Sequence, residues 1–346
     1  MDASLEFLRE IAALPGPSGM EQPVAQRVAQ GFGEFSDDVW IDSHASVYAR
    51  IGSGKPRVVI CAHLDEIALM VSAIDKRGFL RLQNIGGVDP RILPGMEVMV
   101  HGKTAMPGVI GATPPHLQTA GEQNKAIKRE DLCVDIGYPA AKVNELVSVG
   151  DIVTFRAPLL ELDGGRIAGK TMDDRACVAI EHAAMKLLSR MKLDCEVIFV
   201  ATCQEEIGSK GALMVGQSLG ADIAIALDVC HAPQPGADDL DVSPFEKPAL
   251  LRAPVVHAKL FERAKKVADA NGIPYSVEIS AGTSSTDADE LQFARGGMPA
   301  MLISLPLRYM HTSVETFDQA CFFHCARWLA HLIADFDAGW EAWLCY

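Results

Sequence analysis

The sequence predicts an α/β fold: a doubly wound, mostly parallel sheet interrupted by a small inserted all-β domain. Three observations carry this expectation. Apolar runs such as VVICA, VIFVA, IAIAL and MLISL end in polar residues, as strands buried on both faces do. Stretches with helical apolar spacing alternate with the later runs. From about residue 70 to 165 the character changes to short strands broken by Gly, Pro and Asp, with no strong amphipathic helix. Residues 1–69 and 166–346 then form one domain, and residues 70–165 form a β-barrel-like insertion.

The elements follow in order. Leu5, Leu8 and Ile11 mark a helix over residues 3–14, and Val24, Val28 and Phe32 mark another over 20–33, with PGPSG as the break between them. VWIDSHASVYARIG reads as a strand pair and PRVVICAHLD as a buried strand. Within the insertion LMVSAI, FLRLQNI, EVMVHG, GVIGA, CVDIG and DIVTFRA read as strands. From Gly169 the alternation resumes. RACVAIEHAAMKLLSRM is a helix, CEVIFVATC a strand, KGALMVGQSL a helix and ADIAIALDV a strand. AKLFERAKKVADANG is a helix stopped by Asn-Gly. YSVEIS and AMLISLP are strands, and a long helix runs from Phe317 to about Phe336.

With 346 residues, 49% of them hydrophobic, the chain can bury a large core. A net charge of −14 argues against nucleic-acid and anionic-membrane partners. No apolar run approaches the roughly 20 residues of a membrane span. MDASLEFLREIAAL is acidic and amphipathic rather than a signal peptide. Nine Cys without a CxxC pair predict free, mostly buried thiols in a reducing cytoplasm.

Five metal-seeking side chains lie in five separate segments: His63 in AHLDE, Asp173 in MDDR, Glu206 in CQEE, Asp228 in ALDVC and His311 in RYMHT. Singly each has an ordinary reading, as a turn histidine, an acidic helix start or a solvated carboxylate. Most of them follow a buried strand, so together they converge at the carboxyl edge of one sheet, where open α/β sheets build their sites. Two His and three carboxylates suit Zn²⁺ or Co²⁺. A pair of such ions activates a water and polarises a carbonyl. On a regular strand Glu205 and Glu206 point to opposite faces. An irregular end near Gly208 turns both inward, leaving one free as a base; Glu205 then moves the proton of the water to the leaving amine. Asp65, two residues after His63, is placed to orient the imidazole. Of Asp173 and Asp174, one bridges the two metals.

These segments resemble the co-catalytic metallo-aminopeptidases of the glutamyl-aminopeptidase type, metallopeptidase family forty-two. AHLDEI, GKTMDDR, CQEEIGSKGA, ALDV, STDADELQFARGGMP and SLPLRYMHTSVE fall in the family's order along essentially the whole chain, with GVIGATPPHL and VDIGY inside the insertion. The resemblance implies His63 and Asp228 on one metal, Glu206 and His311 on the other, and Asp173 rather than Asp174 between them. It implies Glu205 as general base and Asp65 as the orienter of His63. It further implies dimers formed through the insertion and a hollow homo-oligomeric dodecamer that admits short peptides. Ala68, Cys177, Ser284 and Ser285 stand where the family usually has glycine, which bears on pocket shape. The expected function is a cytoplasmic, dinuclear metal-dependent aminopeptidase. The alternatives are an N-acyl amino acid deacylase with the same metal pair and a glycoside hydrolase built on paired carboxylates, which has no use for His63 and His311.

Overall fold

The computed structural model describes residues 2–118, 121, 125–237 and 242–345. Its centre is four parallel strands in the spatial order Glu196–Thr202, Arg57–His63, Ile223–His231 and Ala300–Arg308. Val, Ile, Leu and Ala fill both parities of these strands, so both faces are buried. Outward the pairing turns antiparallel. Val47–Gly52 and Asp38–Ile41 flank one side, and Glu315–Asp318, Arg166–Gly169 and Leu160–Leu162 the other. Ala249–Arg252 branches antiparallel from Ala300–Arg308 and carries Ser276–Ile279 as a parallel edge strand. The sheet is therefore mixed, with parallel pairing concentrated where the site lies.

The helix Met172–Leu188 packs on this centre and against the helices Ala3–Ala13 and Gln319–Ala334. Nearly every side chain in it is buried, the charged Asp173, Asp174, Arg175 and Glu181 among them. Six strands, Ala68–Ile74, Leu80–Ile85, Glu97–His101, Ala105–Ala112, Leu132–Asp135 and Ile152–Phe155, close into a separate barrel. Leu69, Val71, Leu82, Val98, Val100 and Val153 fill its interior, and burial alternates along Ala105–Ala112 as on any strand with one wet face. Closure leaves this small sheet no unpaired edge.

The expected strands and long helices are present, with ends shifted by up to three residues. Four short strands have no counterpart in the sequence reading: Leu160–Leu162, Arg166–Gly169, Ala249–Arg252 and Glu315–Asp318. Runs this short show no period. The barrel region also contains a helix, Ala140–Leu146, which buries only Val143 and so has no apolar stripe to detect. Phe317 belongs to a strand, and the last long helix starts at Gln319. Seven of the nine cysteines are buried and none is bonded. Among the described residues no helix is long and apolar enough to cross a membrane.

Candidate metal centre

The four central strands deliver their carboxyl ends to one edge. His63 is the last residue of its strand. The neighbouring strand is paired with it up to Ala226 opposite Cys61, so the continued register brings Asp228 beside His63. The sequence reading puts Asp228 at a strand terminus. The strand instead continues to His231, because Ala300–Arg308 still pairs with it through Leu307. Asp228 reaches the edge because its other neighbour stops.

The strand before Glu205 ends at Thr202, and the backbone then turns through left-handed conformations at Gln204 (φ 56°), Gly208 (φ 107°) and Ser209 (φ 49°). This irregular end points both glutamates into one cavity. Asp65 holds it in place. Its Oδ1 accepts the Glu205 N–H at 2.9 Å, and its Oδ2 accepts the Glu206 N–H at 3.2 Å and the Ser18 hydroxyl at 2.6 Å. Asp65 Oδ1 also stands 3.4 Å from His63 Nδ1, an ion-pair distance without a formed hydrogen bond. Burial opposes its charge, but His63, Ser18 and the Glu205 N–H outweigh burial and hold the carboxyl below its ordinary value.

Asp173 lies between the two imidazoles. Its Oδ1 is 3.0 Å from His63 Nε2 and its Oδ2 is 3.2 Å from His311 Nε2. Glu206 Oε1 approaches the same His311 nitrogen at 3.3 Å. Glu205 Oε2 stays 4.0 Å from His63 Nε2, and its Oε1 accepts the Ser209 hydroxyl at 3.2 Å. All seven side chains singled out in the sequence therefore meet, six lining one cavity and Asp65 bracing it from behind. Asp174 also brings a carboxylate oxygen within 4.8 Å of His63 and Asp228 donor atoms. It is fully buried, accepts the His63 backbone N–H at 3.2 Å and does not line the cavity, so its carboxylate braces the strand end.

The electrostatics fit a cation. Burial raises the pKa of Glu205 to about 7, with Asp287 and Glu206 adding to it, and burial likewise raises Glu206 and Asp228. Burial lowers His311, yet Asp173 and Glu206 override it and push the imidazole up to about 11. Among the described residues no Lys or Arg lines the cavity. Several carboxylates thus converge on His63 and His311, with His231 the third imidazole lining the cavity, a donor set that suits metal ions. His63, Asp173 and Glu206 offer ligand atoms all within 4.8 Å of one another.

Two partners of the site went unread in the sequence. Gly87 O accepts from His311 Nδ1 at 3.0 Å, which leaves Nε2 facing Asp173. A Cβ at Gly87 would fall 2.7 Å from that Nδ1, so the approach needs glycine. Glu315 accepts two backbone N–H groups, that of His311 at 2.8 Å through Oε1 and that of Asp173 at 3.1 Å through Oε2. It is buried because its strand pairs with Gly169, a contact that no local pattern in MHTSVE reveals. Of the four residues standing where similar proteins have glycine, only Ser285 takes a left-handed backbone, at φ 58°. Asp289 accepts the backbone N–H of both Ser284 and Ser285 at 2.8 Å.

The profile of the M42 glutamyl aminopeptidases matches residues 45–327. The chain belongs to that family. It is a metal-dependent aminopeptidase, a hydrolase of peptide bonds. The aminopeptidase is 34% identical to a lysyl aminopeptidase of Pyrococcus furiosus over 319 residues, covering 90% of this chain and 92% of that one. Its structure matches an aminopeptidase of the archaeon Desulfurococcus kamchatkensis with TM-score 0.92 and 32% identity, over 99% and 98% of the two chains. It matches the Pyrococcus horikoshii TET1 peptidase, described as assembling into a tetrahedron or a large octahedral shell, with TM-score 0.85 and 28% identity over 96% and 100%.

Proposed function

We propose that the aminopeptidase releases N-terminal residues from short peptides at a centre holding two divalent metals, Zn²⁺ or Co²⁺. His63 and Asp228 would hold one ion, Glu206 and His311 the other, and Asp173 both. The observation that carries this reading is Asp173 itself, with one oxygen on each imidazole at 3.0 and 3.2 Å. Bound metals would supply Lewis acidity to the scissile carbonyl and a more acidic water.

The remaining work falls to the chain. Glu205 has no imidazole at hydrogen-bond distance, the nearest being His63 at 4.0 Å, so its Oε2 is available to take a proton from the attacking water and return it to the leaving amine. Asp65 orients His63 and, through two backbone N–H groups, the base and its neighbour. The deacylase and glycosidase readings draw on no feature that this reading leaves unexplained.

We further assign residues 70–165 as the inserted unit through which subunits pair, with residues 1–69 and 166–346 as the catalytic unit. A dimer along each edge of a tetrahedron gives a hollow dodecamer, which would limit substrates to peptides that can enter, in the cytoplasm. Light scattering tests the assembly; a monomer would refute it. The chemistry is tested with aminoacyl-p-nitroanilides and their N-acetyl forms, on chelator-stripped protein and after metal is restored. Metal-dependent cleavage of free-amine substrates alone is expected. Cleavage of only the acetylated forms would make the protein a deacylase.

A further inference from the structure

We propose that the active-site cavity selects lysine or arginine at the substrate N-terminus, and that Glu278 is the residue that reads it. The inference rests on the aminopeptidase reading and adds the substrate class.

The sheet register sets the pocket. Asp228 is opposite Ser304, Ser304 is opposite Ala249, and Leu251, two residues on from Ala249, is opposite Glu278. Side chains two apart on a strand share a face, and paired residues point the same way. One sheet face therefore presents Asp228, Cys230, Leu302, Ser304, Leu251 and Glu278, and all six line the cavity of about 600 Å³ that holds the metal centre. Three strand spacings separate the strands of Asp228 and Glu278 by roughly 14 Å. The Glu278 carboxyl reaches back over that gap, with the Cys230 thiol and the Ser304 hydroxyl as its polar neighbours.

That carboxyl has neutral neighbours but, among the described residues, no cation beside it. Glu278 Oε2 is buried and makes no hydrogen bond, and neither does the Ser304 hydroxyl beside it. Burial pushes the Glu278 pKa up, as expected for a carboxylate taken out of water without a cation. Asp289, by contrast, is already occupied by the N–H groups of Ser284 and Ser285. Leu251 and Leu302 give the lobe between Asp228 and Glu278 an apolar wall. A lysine side chain matches this sequence of surfaces: methylenes along the two leucines, ammonium on the Glu278 carboxylate. An apolar side chain leaves Glu278 buried and unpaired, and an acidic one meets like charge.

The test compares lysinol with norleucinol, which share the four-carbon stem and cannot be hydrolysed, by titration calorimetry on the metal-loaded protein. Wild type should bind lysinol roughly 10- to 100-fold more tightly, the worth of a hydrogen bond to a charged group. Glu278→Gln should bring the two ligands to near-equal affinity while leaving norleucinol at its wild-type value or better. Glu278→Asp, with its carboxylate withdrawn by one methylene, should fall between and guards against a misfolded amide variant. Equal binding of both alcohols by wild type overturns the proposal, as does a parallel loss for both in Glu278→Gln. Cleavage of lysyl and norleucyl p-nitroanilides is measured alongside. If neither is cleaved while lysinol is still preferred, the pocket assignment stands and the aminopeptidase reading falls.

Discussion

Glu315 holds the metal centre together through backbone rather than side-chain contacts. Its two oxygens accept the N–H groups of Asp173 and His311, the residues whose side chains meet at 3.2 Å. His311 has φ 60°, a conformation that a non-glycine residue keeps only when its surroundings enforce it. Removing the carboxylate in Glu315→Ala frees both N–H groups in a buried place. At about 1.5 kcal/mol for each buried N–H left without an acceptor, the loss is about 3 kcal/mol. Glu315→Gln keeps one acceptor and turns an N–H donor toward the other, so about half the loss or more remains. Part will appear as stability and part as metal affinity. Supporting groups of this kind typically change metal affinity 10- to 100-fold. The assay is metal Kd by competition with a chromogenic chelator, together with urea unfolding of the metal-free variant. Both variants should bind metal more weakly, alanine more than glutamine. Wild-type metal affinity in Glu315→Ala would refute the clamp.

Three further outcomes are expected. Glu205→Gln should keep its metal, measured by elemental analysis, while kcat falls about 10²- to 10⁴-fold; retained turnover would remove Glu205 as the base. Asp65→Asn places an N–H₂ group against one of the Glu205 and Glu206 N–H groups, so metal affinity should drop roughly tenfold or more, and an unchanged Kd would reduce Asp65 to packing. Away from the site, burial lowers the His182 pKa to about 4, while its ring stacks on Phe7 at 4.4 Å and Ser4 holds Nδ1 at 3.0 Å. The unfolded chain binds that proton first, so stability is full above the ordinary histidine value and falls as pH drops toward 4, by about 3 kcal/mol. Urea titrations of His182→Gln should lose that part of the slope between pH 6.5 and 4; an identical slope would discount the imidazole.

How far the sequence could be read depended on the range of the interaction concerned. Val58 to Ala62 and Val197 to Ala201 are buried on both faces, and their composition alone announces strands that end where His63 and the two glutamates begin. A candidate ligand that directly follows such a run was therefore legible. Asp228 was legible as a candidate ligand and misread as a strand end, because its position depends on where a neighbouring strand stops and not on its own residues. Gly87 and Glu315 were not legible at all. Each is 224 and 4 residues from His311 in sequence, yet both act on that same residue, and each is placed by a fold-level contact: the loop leaving the Leu80–Ile85 strand for one, the pairing with Gly169 for the other. Glu278 belongs with them. Its strand of four residues lies at a sheet edge with intermediate burial, so nothing local marks the carboxylate as special. Only the register through Leu251, Leu302 and Ser304 carries it into the cavity with Asp228. Most of the proposed metal ligands lie at or near the ends of buried runs and can be read in order. Those that tune the metal or choose the substrate come from pairings across the sheet, and for them the tertiary structure is the first place where the chemistry becomes visible.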